Sequence, residues 1–119
     1  MRLVLSFLAL SLLIATCIAL PASAHHGWGS YDADHPMTIK GAIKEVTLQN
    51  PHGEMIVLHE GKPWLITLAP LSRMNARGAT KNVLQVGRIV VAYGYPKVDG
   101  TPEIRAEWIE VNGQKFQLR

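Results

Sequence analysis

All five histidines of the chain lie between positions 25 and 59, and the first two, His25 and His26, directly follow a sequence typical of a signal-peptide cleavage site. If a peptidase cuts after Ala24, His25 becomes the first residue and carries a free α-amine beside its imidazole. An amine and neutral imidazoles are good ligands for borderline metals, copper and zinc above all. The spacing therefore predicts a metal site at a processed N-terminus.

Residues 1–24 have the features of a secretory signal peptide. Arg2 supplies a positive charge, positions 3–20 contain no charged residue, and a proline followed by Ala-Ser-Ala ends the segment. One alternative is a membrane anchor, since an apolar-rich segment of this length could just span a bilayer. A second alternative is lipidation at Cys17. The Ala-x-Ala site and the abrupt change to polar sequence favour cleavage after Ala24, so we expect a periplasmic or secreted protein.

The mature chain contains no cysteine, because Cys17 is the only one in the sequence and leaves with the signal. No disulfide can therefore form, and no thiolate is available for metal binding or nucleophilic catalysis. The whole chain has twelve Lys and Arg against nine Asp and Glu, a formal net charge of +3, and removal of Arg2 leaves about +2. This balance predicts no nucleic-acid partner. After cleavage we expect no membrane partner either.

From residue 37 onward, the pattern is that of strands separated by turn residues. The first strand candidate is long, and its apolar residues change parity between Ile43 and Val46, so a bulge or bend is expected near residues 41–45. Asn-Pro-His-Gly at positions 50–53 is predicted to form the next turn. The predicted elements are strands at Met37–Asn50, Glu54–His59, Trp64–Leu68, Arg88–Pro96, Glu103–Val111 and Lys115–Leu118, with a short helix at Leu71–Arg77.

Three strands, a short helix and two or three further strands follow one another in the order of the OB-fold, a small, partly open Greek-key barrel. We therefore expect an all-β protein with an OB-fold-like barrel of five to six strands and a short helix between strands three and four. The predicted segments are a signal peptide at 1–24, an N-terminal arm at 25–36 and an OB-like barrel domain at 37–119. Four aromatic residues are expected in the core or on the barrel face, namely Trp64, Tyr93, Tyr95 and Trp108.

The mature sequence resembles, over essentially its whole length, a family of small exported bacterial proteins of unknown function. The segments that carry the resemblance are AHHGWGSYDADHPMTIKGAIKEVTLQNPH, LAPLSRMNARGAT, VVAYGYP and EIRAEWIEVNGQKFQLR. In that family His-His follows the signal, an Asp comes shortly after, and Asn-Pro-His ends the first long strand. The matching positions are His25, His26, Asp32, Asn50, Pro51 and His52. The resemblance implies export and a compact β-barrel, and it supplies no activity.

His35 and His59 fall outside the family pattern and are expected at solvated surface positions. Gly27 and Trp28 stand where the family usually reads Ser-Phe, a departure that matters little for ligands but could alter how the arm packs.

The matching histidines can be combined into a copper site. The amine and imidazole of His25, with a second imidazole from His52, give three nitrogen donors in a roughly planar arrangement, which suits Cu(II) better than Zn(II). His26 or Asp32 could complete the ligand set or orient it. The alternative is that both N-terminal histidines belong to a frayed end and that His52 is only a turn residue.

Three classes of function are therefore open. The first is a periplasmic metal-binding protein, and the second is a non-enzymatic OB-type module that binds a peptide, glycan or partner protein on its barrel face. The third is a metal-dependent enzyme, such as a copper oxidase built on the same N-terminal ligands. Of the three we favour the non-enzymatic classes, and nucleophilic catalysis has no support, because no cysteine remains and Ser30 and Ser72 lie outside a G-x-S-x-G context. Three further carboxylates are expected to form a solvated strand face, namely Glu103, Glu107 and Glu110.

Overall fold

The computed structural model describes residues 28–119, which are dominated by strands. In chain order the elements are a 3-10 turn (Trp28–Ser30), β1 (Met37–Thr47), β2 (Glu54–His59), β3 (Lys62–Thr67), α1 (Leu71–Ala76), β4 (Ile89–Pro96), β5 (Glu103–Val111) and β6 (Gln114–Gln117). β2 and β5 have the predicted bounds. β1 ends earlier than predicted, at Thr47, and β3 begins earlier, at Lys62, because a proline such as Pro63 is tolerated at the start of a strand.

β1 is the bent strand that the change of parity predicts. Its first half pairs with β4 and its second half with β2, and the register with β2 shifts between Ile43 and Glu45. Ile39 and Ile43 are fully buried before the shift, and Val46 packs against the same core after it. The bulge therefore returns the apolar residues of both halves to one side of the strand.

The strands close into a barrel with the connectivity of an OB-fold. The order is β3-β2-β1-β4-β5-β6, and β3 also pairs with β5. This last pairing is parallel, whereas the other strand pairs are antiparallel. β1 to β5 thus form a closed five-stranded barrel, and β6 pairs with the second half of β5, beyond the residues that pair with β3. The predicted all-β, OB-like fold is confirmed.

The helix α1 lies between β3 and β4, as predicted, and buries Met74 against the core. It is followed by Gly78, whose φ of +80° is the left-handed conformation that ends many helices. Each fully buried aliphatic side chain of this core stabilises the fold by about 2 kcal/mol. Within the described part of the chain, no helix is long and apolar enough to cross a membrane.

The described part of the N-terminal arm lies against the connection between β4 and β5. Tyr31 forms an isolated antiparallel bridge with Lys97. The backbone N–H of Asp32 donates to the carbonyl of Pro96 at 2.8 Å, and the N–H of Val98 donates to the carbonyl of Ser30 at 3.1 Å. The arm therefore extends the sheet locally after its short 3-10 turn. His25 and His26 lie outside the described residues.

Candidate functional site

A cavity of about 240 Å³ lies where the arm meets the barrel. Its lining combines one residue of the arm with side chains from β2, β3, β5 and the connections beside them. The lining residues are Tyr31, His52, Glu54, Thr67, Lys97, Glu103 and Arg105. The turn that carries the predicted ligand His52 therefore faces the arm that leads back to the predicted N-terminal ligands.

The Nδ1 atom of His52 has no hydrogen-bond partner among residues 28–119. The His52 side chain is 31% exposed, yet this atom is buried. The nearest carboxylate oxygen, Oε1 of Glu54, is 3.8 Å away, which is beyond hydrogen-bonding distance. Burying a polar atom without a partner costs free energy. A metal ion is one partner that would offset this cost, because neutral imidazole nitrogen is a common metal ligand.

Hydrogen bonds of Asn50 and Gly53 fix the turn before β2 in place. The Oδ1 atom of Asn50 accepts a hydrogen bond from the N–H of Leu71 at 3.1 Å, at the first turn of α1. The N–H of Gly53 donates to Ala69 at 2.9 Å, and the N–H of Leu68 donates to Gly53 at 2.8 Å. The Asn50–Pro51 peptide bond is cis. Asn50 therefore has a structural role, which is to fix the position of the turn that presents His52.

Asp32 makes local contacts and is not among the residues that line the cavity. Its Oδ2 atom lies 2.9 Å from Nδ1 of His35, and its Oδ1 atom accepts a hydrogen bond from the N–H of Asp34 at 3.1 Å. The contact with His35 lowers the pKa of Asp32. Sequence reasoning selected Asp32 as a possible ligand and set His35 aside, whereas the structure places these two side chains together.

The other histidines have the surroundings of structural or surface residues. His35 is exposed, as predicted. His59 is only half-exposed, and its Nδ1 atom contacts the backbone of Lys40, 3.2 Å from the nitrogen and 3.0 Å from the carbonyl oxygen. Within residues 28–119, no group of three or more His, Cys, Asp or Glu side chains is arranged to hold a metal ion. Of the four predicted ligands, only Asp32 and His52 belong to this part of the chain.

Glu103 ties the arm to the cavity. It accepts a short hydrogen bond from the hydroxyl of Tyr31 and lies 3.8 Å from Nζ of Lys97. The hydroxyl of Thr67, 3.4 Å away, donates to the same carboxylate oxygen. Burial and then the hydrogen bond to Glu103 raise the pKa of Tyr31 to about 12. The prediction that Glu103 lies on a solvated strand face is wrong, because its side chain is only 13% exposed and has three polar partners.

An aromatic row lies on the outer surface of β4 and β5 and continues into the arm. Tyr93 stacks on Trp108 with ring centroids 5.4 Å apart, and Tyr95 contacts Tyr93 edge-on at 6.3 Å. Trp28 then contacts Tyr95 edge-on at 5.7 Å. Tyr93, Tyr95 and Trp108 are half-buried and lie outside the buried core, whereas the half-buried Trp64 on β3 packs against it. Of the two locations predicted for the barrel aromatics, the barrel face is correct for the first three and packing on the core is correct for Trp64.

Arginines meet the aromatic row at Trp28, and sequence reasoning missed them. The guanidinium carbon of Arg105 lies 4.2 Å from the centroid of the Trp28 ring, and that of Arg119 lies 5.0 Å from it. Nearby, the carboxylate of Glu107 accepts a hydrogen bond from the hydroxyl of Tyr95 at 2.5 Å, which raises the pKa of Tyr95 to about 12. The alternation of β5 predicts that Arg105 points outward. It does not predict the contact with Trp28 and Arg119, because both are far away in sequence.

The fold and the cavity define a small OB-type β-barrel with an N-terminal arm docked against its side. The chain belongs to the family of unknown function DUF6152, whose model matches residues 13–104. This confirms the expected membership of an uncharacterised family. Whether His-His and Asn-Pro-His mark the family stays a prediction.

Other comparisons show the fold alone. No curated protein matches the chain. The crystal structure of TiaS in complex with a tRNA and ATP is similar with a TM-score of 0.50 and 15% identity, over 65% of this chain and 18% of that one. A ZRD-deleted mutant of TiaS in complex with agmatine gives a TM-score of 0.50 and 15% identity, over 71% of this chain and 24% of that one. This chain thus spans less than a quarter of either structure.

Proposed function

We propose that this chain is an exported β-barrel protein that binds Cu(II) through its processed N-terminus and His52. The α-amine and imidazole of His25 supply two nitrogen ligands, and the imidazole of His52 supplies the third. His26 or Asp32 supplies a further ligand or orients the others. Zn(II) binds the same donors less tightly, because divalent affinity for nitrogen sites is highest for copper.

The observation that carries this proposal is the buried Nδ1 atom of His52, which has no hydrogen-bond partner in residues 28–119. The turn, which is held by the hydrogen bond between Leu71 and Asn50, places His52 among the residues that line the cavity with Tyr31. The described structure begins with the 3-10 turn at Trp28, three residues after His25, and three residues of extended chain span at most about 10 Å. The proposal requires this short segment to bring the amine and imidazole of His25 to a metal ion held by His52.

Export is the second part of the proposal, and it rests on residues 1–24. Their charged start, uncharged apolar centre and Ala-Ser-Ala end are the pattern that signal peptidase reads. Cleavage after Ala24 creates the amine that the copper site needs. Both the release of the protein into the periplasm or medium and its Cu(II) binding therefore depend on this one cleavage.

The test is to express the full chain in a host that exports it, to measure the intact mass of the mature protein, and to titrate it with Cu(II) and Zn(II). We expect His25 as the first residue and a Cu(II) spectrum in electron paramagnetic resonance with splitting from several nitrogen ligands. An alanine inserted before His25 should weaken Cu(II) binding at least tenfold, because it displaces the amine. His52→Ala should weaken it as strongly.

His59→Gln is the matched control, because His59 contacts the backbone of Lys40 at the other end of β2. Its Cu(II) affinity should equal that of the native protein. Native affinity in both the insertion variant and His52→Ala, or the absence of Cu(II) binding by the native protein, would refute the site.

A second function is favoured by the aromatic row. Trp28 is 43% exposed and continues the surface formed by Tyr95, Tyr93 and Trp108. Exposed aromatic rings on an OB barrel can stack against sugars or the side chains of a peptide. The alternative is therefore a non-enzymatic module that binds a peptide, glycan or partner protein on this face. A native protein that binds no Cu(II) but shows saturable binding of one such ligand, abolished by Trp28→Ala, would favour it.

A further inference from the structure

We propose that Arg73, Arg105 and Arg119 form a binding site for an oxyanion, the phosphate or carboxylate group of a small ligand, beside Trp28. The proposal involves none of the predicted metal ligands, and the cluster adjoins the proposed copper site, because Arg105 also lines the cavity that contains His52. We refer to the three side chains as the arginine cluster.

The cluster is assembled from three separate parts of the chain. Arg73 lies on α1, Arg105 on β5, and Arg119 follows β6. Nη1 of Arg73 donates to the carbonyl of Leu118 at 3.2 Å. Because Leu118 directly precedes Arg119, this bond brings the Arg73 guanidinium to the end of the chain where Arg119 lies. Nη2 of Arg119 donates to the carbonyl of Leu68 at 3.1 Å. Arg105 and Arg119 both contact the ring of Trp28. Their guanidinium carbons lie 4.2 and 5.0 Å from its centroid, which brings the two side chains close together.

Within residues 28–119, no side-chain carboxylate lies at ion-pair distance from the cluster. The first 27 residues contain no Asp or Glu. Glu103 is occupied by Tyr31 and Lys97. Glu107 favours the charged form of Arg119 at longer range, but it accepts its hydrogen bond from Tyr95.

Hydrogen-bond donors in the cluster are unused as well. The Nε atoms of Arg105 and Arg119 are buried and have no acceptor within the described part of the chain. Burial, and then the charges of Arg105 and Arg73, lower the pKa of Arg119 to about 10. Burial also lowers the pKa of Arg105. Three like charges with unsatisfied donors destabilise the folded state, and a bound anion would offset both costs.

The geometry of guanidinium selects the ligand chemistry. Its planar fork of N–H donors matches the oxygen atoms of phosphate and carboxylate groups in pairs, which chloride does not reproduce. Arg73 is exposed and Trp28 is partly exposed, so the cluster is open to solvent on one side. A ligand that enters here would meet the aromatic row next to its anionic group.

The proposal is tested by titrating the metal-free, full-length mature protein separately with inorganic phosphate, malonate and sodium chloride at matched ionic strength. The readout is the ¹⁵N–¹H nuclear magnetic resonance signal of the Nε–H groups of Arg105 and Arg119 and of the indole N–H of Trp28. We expect saturable shifts with phosphate, malonate or both, and none with chloride. Whichever of the two binds more tightly identifies the phosphate or the carboxylate as the preferred group.

Arg105→Gln and Arg119→Gln should each weaken binding tenfold or more. Lys44→Gln is the matched control for net charge, because Lys44 is exposed at the register shift of β1 and belongs to none of the contacts described for the cluster, and it should bind as the native protein does. If Arg119→Gln does not fold, Arg105→Lys and Arg73→Gln provide the same comparison with less change in burial. Non-saturable shifts that are equal for all three salts, or native affinity in the arginine variants, would overturn the proposal.

Discussion

The hydroxyl of Tyr31 donates a hydrogen bond to the carboxylate of Glu103, and this contact joins the N-terminal arm to β5 across 72 residues of sequence. Lys97 reinforces the contact, because its ammonium lies 3.8 Å from the same carboxylate and 4.9 Å from the centroid of the Tyr31 ring. The arm is thus fixed at the cavity that His52 lines. The proposed copper site depends on this attachment, since it limits where His25 can lie.

Replacing Tyr31 with phenylalanine should loosen the arm. Loss of one partly buried hydrogen bond to a charged group should lower the free energy of unfolding by about 2 kcal/mol, measured by urea denaturation. Tyr93→Phe is the matched control, since the Tyr93 ring stacks on Trp108 and its hydroxyl has no hydrogen bond among the contacts of residues 28–119. It should change stability by less than about 0.5 kcal/mol. Equal losses in the two variants would contradict the role of the Tyr31 hydroxyl.

The same contact predicts how stability responds to alkaline pH. A tyrosine in the unfolded chain has a pKa of about 10, whereas the pKa values of Tyr31 and Tyr95 in the fold are raised to about 12. The fold therefore favours the protonated hydroxyls, and their contribution is complete below pH 10 and is lost as the pH rises from 10 to 12. The difference in free energy of unfolding between the native protein and Tyr31→Phe should be constant up to about pH 9 and should shrink above pH 10. A difference that grows over this range would have the wrong sign.

The hydrogen bond from Leu71 to Asn50 predicts a stability effect that is separate from metal binding. Asn50→Ala removes the acceptor for an N–H in the first turn of α1, which should lower the free energy of unfolding by about 1 kcal/mol. Asn50→Asp keeps an acceptor and should recover most of the loss. Asn75→Ala, an exposed change in the same helix, should leave stability unchanged or raise it by up to about 0.5 kcal/mol. Full stability of Asn50→Ala would show that the turn does not need this bond.

The fold could be predicted because its determinants are local. The change of parity between Ile43 and Val46 predicts the bulge in β1. Asn-Gly at 112–113 is a pair typical of two-residue hairpin turns, and both residues have positive φ in the last hairpin. The short helix has apolar residues three apart, Leu71 and Met74, and ends just before Gly78. Each of these signals lies within a few residues of the structure that it determines.

The site was harder to predict because its contacts join distant parts of the chain. Residues 28–36 have no apolar period, so nothing local predicts that Tyr31 binds Glu103. The pattern of β5 predicts that Arg105 points outward, but not that Trp28 and Arg119 meet it there. A one-residue register shift in the pairing of β4 with β5 also places Glu107 beside Tyr95, where the alternation of a regular strand predicts only a solvated face.

The close approach of β1 to β2 depends on the absence of a side chain at Gly41. A Cβ atom at this position would lie 1.7 Å from the carbonyl oxygen of Leu58 and 3.2 Å from Cγ1 of Val57. The first contact involves backbone of β2, which cannot move aside without breaking the pairing with β1. Gly41→Ala should therefore lower the free energy of unfolding by about 3 kcal/mol or more, measured by thermal or urea denaturation. Gly29→Ala is the matched control, because no atom lies within 4 Å of its Cβ position, and it should change stability by less than about 0.5 kcal/mol. A stable Gly41→Ala variant would mean that β1 and β2 tolerate a wider separation than the barrel shows, and would contradict the need for glycine at position 41.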